Sequence, residues 1–263
     1  MNAMPLKRPR LLAIASGKGG VGKTWFSITL AHALTRLRRR VLLFDGDLGL
    51  ANVDVQLGLM PAHDLGSVLS GMALSEAVLT HPEGRFDVLA GRSGSGALSA
   101  LDPQHLDAAL AALRHETAGY DDVLLDLGAG VERGVRRMAA AADTLLVLAT
   151  DEPTSLTDAY AVLKLHHADR PEGDTRIVVN QAGGQAAGER TYATLRRACA
   201  TFLKTEPPLA GVIRRDERVR DAIRRQSLLL TRHPTCMAAQ DVEATASGLI
   251  EKAGVRAADR PAG

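Results

Sequence analysis

The amino-acid sequence predicts a single α/β domain built on a doubly wound, mostly parallel sheet with helices on both faces. Three observations predict it. Short apolar runs alternate with stretches of helical spacing along nearly the whole chain, the pattern of a parallel sheet covered on both sides. A glycine-rich stretch, Ser16-Gly17-Lys18-Gly19-Gly20-Val21-Gly22-Lys23-Thr24, stands between the first such run and the first helix. Polar residues able to hold a charged ligand come after several of the other runs, and in such sheets ligands sit at the carboxyl ends of the strands. A chain of 263 residues is long enough for one well-buried core, and no linker interrupts it. We expect the domain over residues 11–255, a short N-terminal tail over 1–10 and a flexible tail over 256–263.

Taken in order, Leu11 to Ala15 reads as the first buried strand, and Phe26, Leu30, Leu34 and Leu37 come after it at helical spacing. Further strands are expected at Val41 to Phe44, Phe86 to Leu89, Val123 to Leu125, Leu145 to Ala149, Ile177 to Val179 and Gly211 to Ile213. Helices are expected at Ala108 to His115, Val131 to Ala141, Ser155 to His167 and Glu189 to Leu203, with Val242, Ala246, Leu249 and Ile250 facing the core from a last one. Gly91 to Gly96 reads as a mobile turn and Gly183 to Gly188 as a second loose loop.

Composition excludes several classes of function. A formal net charge of +2 says little by itself about nucleic acid or membranes, and aromatics at 3% are too scarce for a base-stacking platform. Cys199 and Cys236 are isolated, which suggests neither a disulfide framework nor a zinc site and fits a reducing cytoplasm. Neither a signal peptide nor an apolar run of transmembrane length is evident.

The glycine-rich stretch fits G-x-x-x-x-G-K-[ST] from Gly17 to Thr24. In that pattern backbone N–H groups curl around phosphate oxygens, the lysine neutralises them and the hydroxyl holds Mg²⁺. Glycine is needed because backbone must approach the phosphates closely. The candidate nucleotide contacts here are Gly17, Lys18, Gly19, Gly20, Val21, Gly22, Lys23, Thr24 and Trp25. Lys23 alone suffices for one such site, so Lys18 is either a solvated lysine or reaches somewhere else.

Residues at the carboxyl ends of the other strands complete the site. After Phe44 comes Asp45-Gly46-Asp47, where a phosphate-bound metal or water would lie; we read Asp47 as orienting the attacking water and Asn52 as shaping the same loop. Asp126 closes another apolar strand and suits Mg²⁺, with Thr24 as companion, although it could equally cap a helix. Asn180 comes directly after a strand and can both donate and accept, as adenine requires, or can simply turn the chain.

These residues together resemble the FlhG/FleN branch of the MinD/ParA ATPases. The resemblance rests on Lys18-Gly19-Gly20-Val21-Gly22-Lys23-Thr24, on Asp47 to Asp54, on Asp126 to Gly130, on Asp151 to Tyr160 and on Val178-Val179-Asn180, and it runs from about Leu11 to about Gly248. It implies a P-loop fold and an ATP-dependent homodimer with slow hydrolysis, in which Lys18 reaches the partner's nucleotide and Lys23, Asp47 and Asp126 act in catalysis with Mg²⁺. It also implies that Arg215 and Asp216 lie near the base. Such proteins set flagellar number and placement through protein partners, here a flagellar transcription activator or an FlhF-type GTPase, from the cytoplasm or peripherally at the inner membrane or cell pole.

Three departures accompany the resemblance. Leu127 stands where family members often carry a small hydroxyl residue, which would alter an outer-sphere contact to Mg²⁺. Met1 to Arg10 holds no D-Q-A-x-x-L-type element for stimulating a GTPase. Beyond Ile250 no basic amphipathic segment with bulky apolar residues prepares membrane attachment. Two arginine clusters, Arg36 with Arg38 to Arg40 and the six arginines of Arg214 to Arg225, are solvated helical faces or sites for nonspecific DNA. The alternatives are thus a ParA-like DNA-positioning ATPase and a nucleotide-binding scaffold with little turnover; an iron–sulfur reductase lacks the cysteine ligands.

Overall fold

The computed structural model describes residues 8–47, 49–91, 110–111 and 113–258. Among the described residues, eight strands form one sheet in the order β3-β4-β2-β5-β1-β6-β7-β8. They are β1 (Arg10–Ser16), β2 (Val41–Gly46), β3 (Leu79–Thr80), β4 (Asp87–Leu89), β5 (Asp122–Ala129), β6 (Thr144–Ala149), β7 (Asp174–Ala182) and β8 (Leu209–Arg214). All neighbours run parallel except β3, which pairs antiparallel with β4. β1 lies between β5 and β6, so the chain winds outward from it in both directions and leaves a crevice at its carboxyl end.

Alternation along the strands feeds two apolar layers. Leu12 and Ile14 of β1 join Phe26, Leu30 and Leu34 of the helix Lys23–Arg36 and Val242, Ala246 and Leu249 of the helix Met237–Ala258. Leu11, Ala13 and Ala15 point the other way, toward Met138 of the helix Arg133–Ala141, Val162 of Pro153–Asp169 and Leu195 of Gln185–Phe202. Burial of a side chain such as Phe26, which has no exposed surface, contributes about 2–3 kcal/mol before entropy is counted. At the amino end of the sheet Arg10 donates to Asp122 (2.8 Å) and to the carbonyl of Leu249 (2.6 Å), tying the last helix to the first strand. At the β8 edge the backbone N–H of Arg214 donates to Asp241 Oδ2 of that same last helix (2.9 Å).

Most expected elements are present with longer bounds. Phe86 lies just before β4 rather than in it, buried and stacked on His81 with ring centroids 5.4 Å apart. The loose loop expected at Gly183 to Gly188 is instead the start of the helix Gln185–Phe202. Gly188 is there for contact: a Cβ on it would come within 2.2 Å of Val212 Cγ1. Of the turn expected at Gly91 to Gly96 only Gly91 is among the described residues, and of Ala108 to His115 residues 108, 109 and 112 are not. The last helix continues to Ala258, and residues 259–263 lie outside the described residues. The short helices Val53–Leu57, Leu65–Leu69, Leu74–Ala77 and Leu229–Arg232 were not expected, since at four or five residues no periodicity can build up.

Candidate nucleotide site at the carboxyl end of the sheet

The phosphate loop is held from several sides. Ser16 Oγ donates to the carbonyl of Lys18 (2.9 Å), and the Gly130 N–H at the end of β5 donates to the carbonyl of Ser16 (2.9 Å). Gly17 is pressed so tightly onto the helix Pro153–Asp169 that a Cβ would lie 2.2 Å from the Asp158 carbonyl oxygen. Gly20 (φ 82°) and Gly22 (φ 87°) take left-handed conformations, which only glycine adopts without cost. Gly22 caps the helix Lys23–Arg36, whose first internal bond runs from Phe26 N–H to the Gly22 carbonyl (3.0 Å). The N–H groups of Lys23, Thr24 and Trp25 precede that bond, so they and the positive end of the helix dipole are available to an anion.

Below the loop lies a buried charge pair. Lys23 Nζ stands 3.4 Å from Asp126 Oδ1, which also accepts from Ser27 Oγ at 2.8 Å. Burial pushes the Asp126 carboxyl up, against the pull of Lys23 and of the Thr24 and Ser27 hydroxyls. Its Oδ2 is buried without a hydrogen-bond partner. An orphaned, fully buried carboxylate oxygen beside a threonine hydroxyl is what a hard, oxygen-seeking cation requires, so the residues present fit Mg²⁺. Thr24 and Asp126 are the groups that would hold it. Leu127 projects from the opposite face of β5, into the apolar layer with Met138. It therefore adds packing and does not face the Asp126 side.

Asp45 and Asp47 differ more than their spacing suggests. Asp45 is 1% exposed and sits in register with Asp126 on the neighbouring strand. Burial, with a further push from Asp126 against the backbone N–H bonds it accepts, raises its carboxyl to about 7. Asp47 is only half-buried; its Oδ1 accepts from the N–H groups of Gly49 (3.2 Å) and Leu50 (3.0 Å). It lies over the end of β5, 3.4 Å from where a Cβ of Gly128 would be.

Lys18 is exposed at the rim of the same crevice. Within this single chain its ammonium donates to Glu152 Oε2 (2.7 Å) and Thr154 Oγ1 (3.1 Å) at the start of the helix Pro153–Asp169. The Glu152 carboxyl is held below its ordinary range by that hydrogen bond. Such an exposed pair is weakened by water and salt and is readily exchanged.

The side chains expected around the base are engaged within the chain as follows. The Asn180 amide donates to the Val21 carbonyl (2.8 Å) and its oxygen accepts from Gln181 N–H (2.9 Å), so its side chain ties β7 to the phosphate loop. Asp216 accepts from the N–H groups of Arg218 (3.0 Å) and Met237 (3.1 Å), capping the helix Glu217–Arg224 and steadying the start of the next long one. Both therefore support the site by holding backbone. Arg215 is exposed and near enough to Glu152 for their charges to interact. The Trp25 side chain is 6% exposed and faces the core, which leaves only its backbone N–H for a ligand. Asn52 occupies the cap position of Val53–Leu57 without using its side chain as the cap.

Sequence reasoning missed Asp45, Ser27 and Gln181, whose side-chain amide donates to the Gly20 carbonyl (3.4 Å). Asp45 closes an apolar strand as Asp126 does, and Ser27 stands one helical turn beyond Lys23, so both carried a signal. The arginine clusters are largely balanced within the chain. Arg36 pairs with Glu243 (2.8 Å), Arg39 with Asp122, Arg214 with Asp241 (2.8 Å) and Arg225 with Asp221 (3.1 Å). Among the described residues no group of three or more His, Cys, Asp and Glu side chains is arranged to hold a metal, and no helix is long and apolar enough to cross a membrane.

Residues 12–229 match the model of the CobQ/CobB/MinD/ParA nucleotide binding domain. The chain is 36% identical over 237 residues to the antiactivator FleN of Pseudomonas aeruginosa, covering 90% of this chain and 85% of that one. It is 26% identical to the flagellum site-determining protein YlxH of Helicobacter pylori, covering 95% and 88%. Among solved structures, the cell division ATPase MinD of Pyrococcus furiosus superposes with a TM-score of 0.76 at 25% identity, over 92% of this chain and 99% of that one.

Proposed function

We propose a function from one premise: this chain belongs to the CobQ/CobB/MinD/ParA nucleotide-binding family. On that premise it is an ATP-dependent dimerising switch with slow ATPase activity, of the kind that regulates flagellar number and placement through protein partners. The observation that carries the reading is the combination of a buried Lys23–Asp126 pair beneath the phosphate loop with a second lysine, Lys18, exposed at its rim. One lysine serves the chain's own phosphates. The other is free to leave Glu152 for a neighbour's.

In this reading the loop N–H groups and Lys23 bind the β- and γ-phosphates, and Thr24 and Asp126 hold Mg²⁺. When bound, that ion neutralises charge developing on the phosphates. Asp47 orients the attacking water from its turn beside Gly128, and Lys18 of one subunit completes the site of the other. Catalysis here is positioning plus charge stabilisation, so hydrolysis is slow until the second subunit arrives. Loss of the γ-phosphate then removes contacts on which the dimer depends and resets the switch. Flagellar context is supported by the likeness to FleN and YlxH. A transcription activator or an FlhF-type GTPase is the partner we expect. The in-chain pairing of the arginines weighs against a DNA-binding role.

The test is the solution mass of wild type, Asp47→Ala and Lys18→Ala by light scattering, with ADP and with Mg²⁺-ATP. The expected result is a dimer with ATP alone, persisting in Asp47→Ala as its turnover falls to a residual, measurable rate, and ATP binding without turnover in Lys18→Ala. If all three stay monomeric with ATP demonstrably bound, the switch is refuted.

A further inference from the structure

We propose that Asp45 is a positioning residue for this reaction: through backbone hydrogen bonds it sets the turn that carries Asp47, without touching nucleotide itself. The inference rests on the ATPase reading and adds a residue to it. Asp45 Oδ1 accepts from the N–H of Asp47 (3.2 Å), and Oδ2 accepts from the N–H groups of Asn52 (2.8 Å) and Val53 (2.9 Å). One buried carboxylate thus grips the turn at both ends, from the residue that prepares the water to the first residue of the helix Val53–Leu57.

The residue at the cap position does not supply this grip. Asn52 makes no side-chain cap bond, so the N-terminal N–H groups of that helix are met by Asp45 from the neighbouring strand end. The grip is also sealed: a Cβ on Gly91 would come within 2.7 Å of the Ala51 Cβ, 2.9 Å of the Asp45 carbonyl oxygen and 3.3 Å of its Cγ. Held this way, Asp47 is left to satisfy its own turn through Gly49 and Leu50 and to present its carboxylate over the end of β5. Among the described residues, the hydrogen bonds of this carboxylate all go to one turn and no cation pairs with it there, so it is placed to fix that turn's position relative to the sheet. Asn at this position would keep one acceptor and turn an amide NH₂ toward N–H groups, so part of the grip would be lost at nearly constant volume.

The experiment is a double-mutant cycle of Asp45→Asn with Asp47→Ala in the full chain, reading Mg²⁺-ATP affinity, turnover at saturating Mg²⁺-ATP and amide hydrogen exchange without nucleotide. Asp45→Asn should bind Mg²⁺-ATP within about threefold of wild type and turn over about 100-fold more slowly, the scale of a small misplacement of a reacting group. Exchange should speed up at Asn52 and Val53 but not in the helix Lys23–Arg36. In the Asp47→Ala background Asp45→Asn should add no further loss, because it acts only through Asp47. Gly91→Ala, which pushes the same turn from the other side, should reproduce the turnover defect if Asp45→Asn proves too unstable to purify. Additive losses, unchanged turnover, or a fall in affinity with turnover preserved would each overturn the proposal. A wild type without any turnover sinks the ATPase reading and this role together; the exchange arm needs no nucleotide and tells that case apart from a grip that was never there.

Discussion

Two glycines of the same loop should respond oppositely to alanine. In Gly17→Ala the new Cβ would stand 2.2 Å from the Asp158 carbonyl oxygen and 2.3 Å from its carbon, so loop and helix must part by more than 1 Å. The obstacle is backbone, and it cannot rotate away as a side-chain tip would. Nor can the helix simply recede, since its next residue, Ala159, is fully buried against the sheet. Overpacking of this kind costs about 3 kcal/mol, which in a domain of this size lowers the melting temperature by about 6–10 °C. In Gly19→Ala the Cβ meets nothing within 4 Å and the backbone is not left-handed, so stability should stay within about 0.5 kcal/mol of wild type. Urea unfolding of both variants without nucleotide, at one pH and with matched m-values, measures the difference. If Gly17→Ala proves as stable as Gly19→Ala, the close approach of loop and helix is not a feature of the folded protein and the reasoning fails.

Two further predictions concern buried polar groups. His32 is 7% exposed, and burial first, then the charges of Arg36 and His81, lower its imidazole to about 4. The unfolded chain takes up that proton below about 6.5 and the folded one only near 4, so stability falls as pH drops through this window, by at most about 3 kcal/mol. His32→Leu should flatten the pH dependence of the urea midpoint between pH 6.5 and 4; an unchanged slope would mean that His32 does not carry it. Asn180→Ala removes the bond to the Val21 carbonyl and should cost about 1–2 kcal/mol of stability and weaken ATP and GTP binding alike. Intact stability with a changed preference between the two nucleotides would make Asn180 a reader of the base rather than a support of the loop.

The sequence made the phosphate half of the site legible because phosphate chemistry acts through local backbone. Gly17 to Thr24 must be contiguous to curl around an anion, and their strand and helix flanks are contiguous too. Strand ends were legible for a related reason, since an apolar run that stops at Asp126, or shortly before Asp47, places the carboxylate where the sheet opens. The contacts that assemble the site over long separations were not. Asn180 looks the same in the sequence whether it reads a base or holds the Val21 carbonyl, and Asp216 whether it faces adenine or caps a helix. Lys18 was identified as surplus, but its pairing with Glu152 depends on two loops that meet only once β1 and β6 lie side by side. Gly188 was misread for the same cause: the Val212 that forbids a side chain there is 24 residues away.

The ends of the sheet constrain how copies of this protein can meet. At one end the outermost strand, β3, has two residues and runs against its neighbour; at the other, β8 lies beside the last helix, with Arg214 N–H already given to Asp241. Among the described residues, β3 is too short to offer a row of unpaired N–H and C=O groups on which two sheets join into one, and β8 gives part of its edge to the last helix. Self-association by strand addition is thereby discouraged along with its usual sequel, open-ended growth, because a ribbon lengthened at one edge exposes another. What remains for a second copy is a face, and a face can close on a twofold axis and stop at two.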